Sequence, residues 1–192
     1  MKIRYNALII EVFFIALIVS TGVKAQAPDI KWEKSLGSSA WDQGESIVET
    51  NDGGSIAVGY VGGNDKDVTG SHGQQDFWVA KLNKAGGLMW QKCYGGSGSD
   101  YGKSIKQTND GGYVVAGYTY SNDGDVSGNH GSIDGWVLKL TANGTIQWQK
   151  AIGGTGADVF VDVEKLNAAG GYLLTGYTES NDGDVSGNHG GK

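Results

Sequence analysis

The sequence predicts an all-β protein built from repeated, four-stranded antiparallel units. Its 192 residues include 34 glycines but a single proline, which excludes collagen and proline-rich linkers. Hydrophobic residues make up 39% and aromatic residues 10% of the chain, enough for a packed core and too much for an intrinsically disordered protein. Tryptophan recurs at a fixed interval of 58 residues, at Trp32, Trp90 and Trp148. Such a constant period is typical of repeat architectures.

Each full unit contains four short strands separated by turn signals. In the second unit the predicted strands are residues 104–108, 113–119, 135–140 and 146–151. The first two are joined by Asn-Asp-Gly-Gly and the last two by Thr-Ala-Asn-Gly, which favour hairpins because Asn and Gly tolerate positive φ. In the third strand Trp136, Leu138 and Leu140 alternate with Val137 and Lys139. This alternation is the period of a strand with one apolar face.

The period divides the chain into three repeats. We assign residues 28–89, 90–147 and 148–192 to them, after an N-terminal segment of 27 residues. The first repeat begins with an orphan strand at Ile30–Ser35, which aligns with the last strand of a unit, and the third stops after two strands. Four antiparallel strands repeated in tandem are the signature of a β-propeller blade. A β-solenoid is the alternative, although its coils are usually much shorter.

Closed propellers need about 4 to 8 blades. We therefore predict an incomplete β-propeller with a 58-residue repeat, whose exposed sheet edges favour edge-to-edge self-association.

The repeated motifs resemble those of a known family. They read W-Q-K, G-G-S-G-x-D, N-D-G-G-Y, G-Y-T-x-S-N-D-G-D-V-S-G-N-H-G and D-x-W-V-x-K-L. On them, residues 30–192 resemble the tandem repeats of secreted and surface β-propeller proteins of Bacteroidetes-type bacteria, within the quinoprotein-like group. The resemblance implies a propeller fold and export, in many such proteins by the type IX route through a C-terminal sorting domain. No segment of this sequence matches that domain, and the resemblance implies no cofactor.

Residues 1–27 predict a secretory signal peptide. Lys2 and Arg4 precede the apolar run Val12–Val19, and Ala25-Gln26-Ala27 provides a small-residue cleavage site. A membrane anchor is the alternative, but Glu11 interrupts the apolar stretch 7–23, which is shorter than the about 20 residues a span needs. We therefore expect a secreted or cell-surface protein without a later membrane span.

The charge of the remaining chain excludes one class of partner. The formal charge of −6 becomes −8 once three cationic residues and one acidic residue leave with the signal peptide, and no arginine remains. Nucleic-acid binding needs a basic footprint, so we expect none.

Each repeat carries an acidic loop with the spacing of an EF-hand-type calcium loop. Oxygen-bearing side chains occupy loop positions 1, 3 and 5, and a glycine occupies position 6. In the first two repeats a carboxylate occupies position 12, which the third repeat does not reach. The candidate ligands are Asp65, Asp67, Thr69 and Asp76; Asp123, Asp125, Ser127 and Asp134; and Asp182, Asp184 and Ser186. Calcium is the candidate cofactor. A metal-free turn is the alternative, because clusters of Asn, Asp and Gly also form ordinary turns.

The three histidines, three further aspartates and the single cysteine have structural interpretations. The histidines His72, His130 and His189 are interpreted as loop residues bonded to nearby backbone. We expect Asp42, Asp100 and Asp158, which precede the first strand of each unit, to cap backbone N–H groups. Cys93 is interpreted as a buried strand residue.

The sequence favours a non-enzymatic function. It contains no GxSxG, HExxH or phosphate-binding loop, and its carboxylates recur in every unit, whereas a glycosidase needs one site with two differently tuned acids. We expect a binding or cell-surface structural module whose partner is an unidentified protein or glycan. The alternatives are carbohydrate binding through Trp41, Tyr101 and Phe160, taken as aromatics between units, and a part of a glycoside hydrolase of endoglucanase type.

Overall fold

A computed structural model describes residues 29–166 and 170–190. The described chain divides after Glu33; residues 29–33 have no regular secondary structure, and the fold below is that of residues 34–190. This part is all-β, with ten strands and no helix, so it offers no helix that could cross a membrane. The predicted signal peptide, residues 1–27, lies outside the described residues.

The strands form three antiparallel sheets in which sequential strands are neighbours. Sheet I contains β1 (Asp42–Glu49), β2 (Ser55–Val61), β3 (Asp76–Leu82) and β4 (Leu88–Tyr94). Sheet II contains β5 (Asp100–Gln107), β6 (Tyr113–Thr119), β7 (Asp134–Leu140) and β8 (Ile146–Ile152). Sheet III contains β9 (Asp158–Lys165) and β10 (Tyr172–Thr178). The all-β prediction with four-stranded antiparallel sheets is therefore confirmed.

The predicted strands of the second unit are confirmed; one boundary moves by four residues and three others by a single residue. The first strand begins at Asp100 rather than Ser104, because a bulge between Gly102 and Ser104 lets its ladder continue through the glycine. The hairpin turns also form as predicted, with Gly111 at φ 81° and Gly144 at φ 76°. Only glycine adopts this backbone region at little cost.

The predicted orphan strand at residues 30–35 does not form in the structure. A β-strand is stable only in a ladder with a neighbour. The neighbour of such a last strand would be the third strand of a unit, and β3 and β7 are already paired with β4 and β8.

The core lies between the sheets. From sheet I, Ile56, Phe77 and Val79 face Trp136 and Leu138 of sheet II, and all five side chains are completely buried. The contact between sheets II and III is smaller, with Val114, Ala116 and Val137 packed against Val163. Cys93 is buried in β4 as predicted, and its burial raises the pKa of its thiol to about 12.

The first strands of successive sheets lie next to one another. Strand β5 contacts β1, β2 and β3, and β9 contacts β5, β6 and β7 in the same way. Side chains exactly one repeat apart therefore meet: Lys103 Nζ lies 2.6 Å from Glu45 Oε1, and Ser104 Oγ donates to Asp162 Oδ1 over 2.6 Å. Lys106 and Glu164 form a third such pair. The period of 58 residues is thus also the spacing of direct contacts.

Candidate functional site

The acidic loops follow the second strand of each sheet and are fastened to the turn that enters the same sheet. In sheet II, Asp123 Oδ1 accepts a hydrogen bond from the backbone N–H of Ser97 over 2.8 Å, and Asp125 Oδ2 accepts one from Gly95 over 3.3 Å. The hydrogen bonds from Ser97 lower the pKa of Asp123. These carboxylates tie a long loop to a glycine-rich turn.

The same arrangement recurs in the other two units. In the first, Asp65 Oδ1 accepts from Ser39 N over 2.7 Å, and Asp67 Oδ2 accepts from Gly37 N over 3.4 Å. In the third, Asp182 accepts from the backbone and the hydroxyl of Thr155, each over 2.8 Å. Hydrogen bonds from Ser39 and Thr155 lower the pKa values of Asp65 and Asp182.

The remaining predicted calcium ligands have other partners. Thr69 Oγ1 and Ser127 Oγ accept from Gln91 and Gln149 of the fourth strands, both over 2.6 Å. At position 12, the buried Asp76 and Asp134 accept from the backbone N–H groups of the histidines four residues earlier, over 2.5 and 3.0 Å. In the third loop, Asp184 Oδ1 lies 4.0 Å from Lys150 Nζ, and Ser186 lies two residues further along the same loop.

These separate partners give the acidic loops a structural role that needs no ion. Within residues 29–166 and 170–190, no three His, Cys, Asp or Glu side chains converge in a group that could hold a metal. Calcium binding by the loops stays a prediction.

Two of the three loop histidines, His72 and His130, pair with carboxylates. His130 Nδ1 lies 2.8 Å from Asp134 Oδ2, and His72 Nδ1 lies 3.2 Å from Asp76 Oδ2. The predicted backbone partner for these rings is thus replaced by a side chain, because the buried carboxylate reaches both the ring and the backbone N–H of the same histidine. The hydrogen bond that the His130 ring donates to the Asp134 carboxylate raises the pKa of His130.

The aspartates that begin each sheet cap backbone groups, as predicted. Asp100 accepts from Gly96 N and Ser121 Oγ, both over 2.9 Å, and from the hydroxyl of Thr119. Asp158 repeats these contacts with Gly154, Ser180 and Thr178, and Asp42 accepts from Ser38 N over 2.6 Å. Burial of Asp100 raises its pKa.

Two buried carboxylates converge at each contact between sheets. A Cβ placed on Gly95 would lie 2.4 Å from Asp100 Oδ2 and 3.2 Å from Asp76 Oδ1. Burial raises the pKa of Asp76, and the charge of Asp100 adds to the rise. At the next contact, Asp134 and Asp158 converge in the same way on Gly153. All four side chains are buried, so these acids face protein rather than a bound substrate.

A cluster of tyrosines lies where sheets I and II meet. We call Tyr60, Tyr101, Tyr118 and Tyr120 the tyrosine platform. The ring of Tyr101 lies 4.7 Å from that of Tyr60 and stacks on Tyr118 at 4.9 Å, between ring centroids. Tyr120 contacts both Tyr101 and Tyr118 at 6.3 Å. The first three rings are partly exposed and Tyr120 is 47% exposed, so ring surface is available to a ligand.

Polar groups surround the tyrosine platform. Lys103 Nζ lies 5.7 Å from the ring centroid of Tyr60 and 5.8 Å from that of Tyr118, and its charge is paired with Glu45. The hydroxyls of Tyr60 and Tyr101 donate to Gln43 over 2.8 Å and to Gln75 over 3.1 Å. Burial, followed by the neighbouring tyrosines, raises the pKa of Tyr118 to about 12, so its phenol stays neutral at physiological pH.

The three aromatics predicted to bind sugar lie at different places in the fold. Tyr101 lies in β5 and joins the tyrosine platform, and Trp41, just before β1, is 72% exposed. Phe160 lies in β9, is half-buried, and packs against the smaller core cluster between sheets II and III, where a Cβ on Gly135 would be 2.6 Å from its ring. The sequence signal for the platform was the recurring Gly-Tyr dipeptide at the end of the second strand, which marks Tyr60 and Tyr118.

No protein-family model matches this chain, and a search of curated proteins gives no match.

Proposed function

We propose that the chain is a non-enzymatic binding module of a secreted or cell-surface protein and that the tyrosine platform is its binding surface. The observation that carries this proposal is the packing of four partly exposed tyrosine rings against one another and around Lys103. Tyrosines held in this way supply contact area with little loss of conformational entropy on binding. Their rings are apolar on the faces and polar at the hydroxyl.

The proposed architecture is an incomplete β-propeller. Support comes from the repeated contact between first strands, in which β5 lies on sheet I as β9 lies on sheet II. Inner strands of neighbouring blades have this relation around a propeller axis. The platform then belongs to the inner region of two adjacent blades.

Carbohydrate is the ligand class that the platform fits best. Ligand sites combine mainly apolar surface with a few placed polar groups. Here the ring faces can stack on the C–H faces of sugars, while the tyrosine hydroxyls and the Gln75 amide at the edge of the platform are the polar groups that can bond sugar hydroxyls. A neutral glycan is favoured, because the charge of Lys103 is already paired with Glu45.

The positions of the carboxylates support binding rather than hydrolysis. Asp76, Asp100, Asp134 and Asp158 are buried, and Asp65, Asp123 and Asp182 are hydrogen-bonded to backbone N–H groups. A glycosidase needs two acids on either side of an accessible bond, about 5 to 10 Å apart. The carboxylate of Glu45 lies near the platform, and it forms a salt bridge with Lys103.

Affinity electrophoresis on neutral polysaccharides, after a glycan array has chosen the polymer, tests this proposal. We expect the wild-type chain to be retarded and Tyr101→Ala to lose about tenfold or more in affinity, since central aromatic anchors dominate binding. The matched control is Trp148→Ala, which removes a partly exposed ring that packs on Tyr172 instead. Unchanged retardation of Tyr101→Ala would remove the platform from the proposal, and a wild-type chain that no glycan retards would end the carbohydrate assignment.

A further inference from the structure

The tyrosine platform surrounds one charge pair that is largely shielded from solvent. Lys103 Nζ lies 2.6 Å from Glu45 Oε1, and the two side chains keep only 24% and 19% of their surface exposed. The same ammonium lies 5.7 Å from the ring centroid of Tyr60 and 5.8 Å from that of Tyr118. A ligand that covers these two rings therefore also lies close to the ammonium and its carboxylate partner.

The carboxylate of Glu45 is also restrained from a second side. Gln43 Nε2 donates to Glu45 Oε1 over 2.9 Å, and Gln43 Oε1 accepts from the hydroxyl of Tyr60 over 2.8 Å. The amide of Gln43 thus links the platform to the carboxylate. Because both of its partners hold it in place, Glu45 compensates the charge of Lys103 before any ligand arrives.

The repeat itself does not require this charge pair. The repeat position of Glu45 is Lys103 in the second unit and Val161 in the third. At the second contact between sheets these positions therefore hold a lysine and a valine, which cannot form an ion pair. Strand β9 nevertheless packs on β5 as β5 packs on β1. The pair of Glu45 and Lys103 thus accompanies the tyrosine platform rather than the packing of the first strands.

The paired state of Lys103 makes the platform unfavourable for anions. An anionic ligand on the rings would meet the carboxylate of Glu45 beside the ammonium, and like charges at a binding surface reduce affinity. Without Glu45, the ammonium would be about three-quarters buried and unpaired, which is unfavourable unless an anion compensates it. Whether Lys103 binds an anionic ligand therefore depends on this one carboxylate.

We propose that Glu45 makes the tyrosine platform selective for uncharged ligands, and that Lys103 is an anion site that Glu45 occupies. The ligands that this arrangement excludes are glycans with carboxylate or sulfate groups. The inference rests on the proposed function for the class of ligand, whereas the anion site at Lys103 can be tested without a glycan.

Sulfate titration of the full chain, followed by NMR of the tyrosine rings, tests the anion site itself. In Glu45→Gln we expect saturable shifts of the ring signals of Tyr60 and Tyr118, with an affinity about tenfold or more above that of the wild type. The matched control is Glu164→Gln, which removes the same charge but leaves Lys106 unpaired instead of Lys103; its ring signals should respond as in the wild type. Adding Lys103→Met to Glu45→Gln should abolish the response.

A pair of matched polymers tests the selectivity by surface plasmon resonance. One is a neutral polysaccharide that the wild type binds, and the other is the same polymer after oxidation of its primary alcohols to carboxylates. We expect the wild type to bind the oxidised polymer about tenfold or more weakly than the neutral one. Glu45→Gln should bind the oxidised polymer more tightly than the wild type does, with a gain that falls as the salt concentration rises, and should keep its affinity for the neutral polymer.

The outcomes separate this inference from the proposed function, and circular dichroism checks that every variant folds. The inference is overturned if Glu45→Gln responds to sulfate no more than Glu164→Gln does, or if the wild type binds both polymers equally well. A gain for the oxidised polymer that persists after Lys103→Met would also overturn it. If no glycan binds the wild type while the sulfate response is confined to Glu45→Gln, the carbohydrate assignment fails and the anion site at Lys103 stands.

Discussion

The contact between sheets I and II and the contact between sheets II and III are built from the same repeat, but their phenylalanine lies on different sides. It lies on the preceding sheet in the first contact and on the following sheet in the second. Between sheets I and II the aromatic ring is Phe77 of β3, and it lies against glycines of sheet II: a Cβ on Gly117 would be only 2.8 Å from its Cζ. Between sheets II and III the repeat position of Phe77 is Gly135, and the position of Gly102 is Phe160. Each contact thus contains one ring and one glycine, in reversed order.

This difference shows that the repeat conserves the volume of the contact rather than the residue at each position. Protein interiors are close-packed, so an added ring at one position requires an absent side chain across from it. A phenylalanine on both sides would overfill the contact, and a glycine on both sides would leave a cavity. Each sheet is therefore fitted to its own neighbour, and the order of the sheets is specified by these pairs.

Exchanging the two residues of the first contact should have the largest effect. Phe77→Gly is expected to reduce the free energy of unfolding by about 3–5 kcal/mol through a cavity, and Gly102→Phe to reduce it by about 1–3 kcal/mol or more through overpacking. A Cβ on Gly102 would lie 2.5 Å from Val58 Cγ2 and 3.4 Å from Phe77 Cδ2. Phe77→Gly therefore relieves part of the overpacking, and we expect a favourable coupling of about 0.5–1 kcal/mol in a double-mutant cycle. Urea unfolding of the four proteins measures it.

The control for this exchange lies in the second contact. Gly135→Phe, made alone, faces Phe160 and is expected to destabilise by overpacking. Additive effects of Phe77→Gly and Gly102→Phe would contradict the compensation between ring and glycine.

The buried carboxylates of the first contact should give it a dependence on pH. Burial raises the pKa values of Asp76 and Asp100 above their ordinary value of 3.8, so the folded state prefers them protonated. Their contribution to stability is fully present below pH 3.8 and is lost as pH rises through the raised values. We expect Asp100→Asn to reduce the free energy of unfolding by about 1–3 kcal/mol, since hydrogen bonds to the carboxylate are lost. We also expect the free energy of unfolding of this variant to fall less than that of the wild type as the pH rises from 4 to 7.

Thermal unfolding between pH 4 and 7 measures this dependence, with Thr119→Val as the matched control. That variant removes one hydrogen bond to Asp100 but keeps the ionisable group, so it should be less stable at every pH while the fall between pH 4 and 7 remains. An Asp100→Asn protein whose stability falls as steeply as that of the wild type would show that other groups set the pH dependence.

The sequence predicts what depends on local chemistry and misses what depends on neighbours in space. Strands, hairpin turns and the cap at Asp100 follow from alternation, glycine and short-range turn geometry. The partner of Asp123 is Ser97, 26 residues away, so the spacing within the loop could not reveal it. The tyrosine platform combines Tyr60 and Tyr118, which share a repeat position, with Tyr101, which does not; only the stacking of β5 on sheet I unites them.

Substitutions in the acidic loops should have the smallest effect on stability, and they also test whether the loops bind calcium. We expect Asp123→Asn, which weakens the hydrogen bond that the Ser97 N–H donates to this loop near the first contact, to reduce the free energy of unfolding by about 1 kcal/mol. Asp182→Asn weakens the equivalent bond to Thr155 near the second contact and should cost a similar amount. Because each variant weakens a hydrogen bond donated by a backbone N–H group, its loss of stability should be the same in millimolar calcium as in a chelator. A rise in melting temperature on adding calcium that Asp123→Asn abolishes would instead establish the loops as calcium sites, and would mean that an ion competes with Ser97 for the same carboxylate.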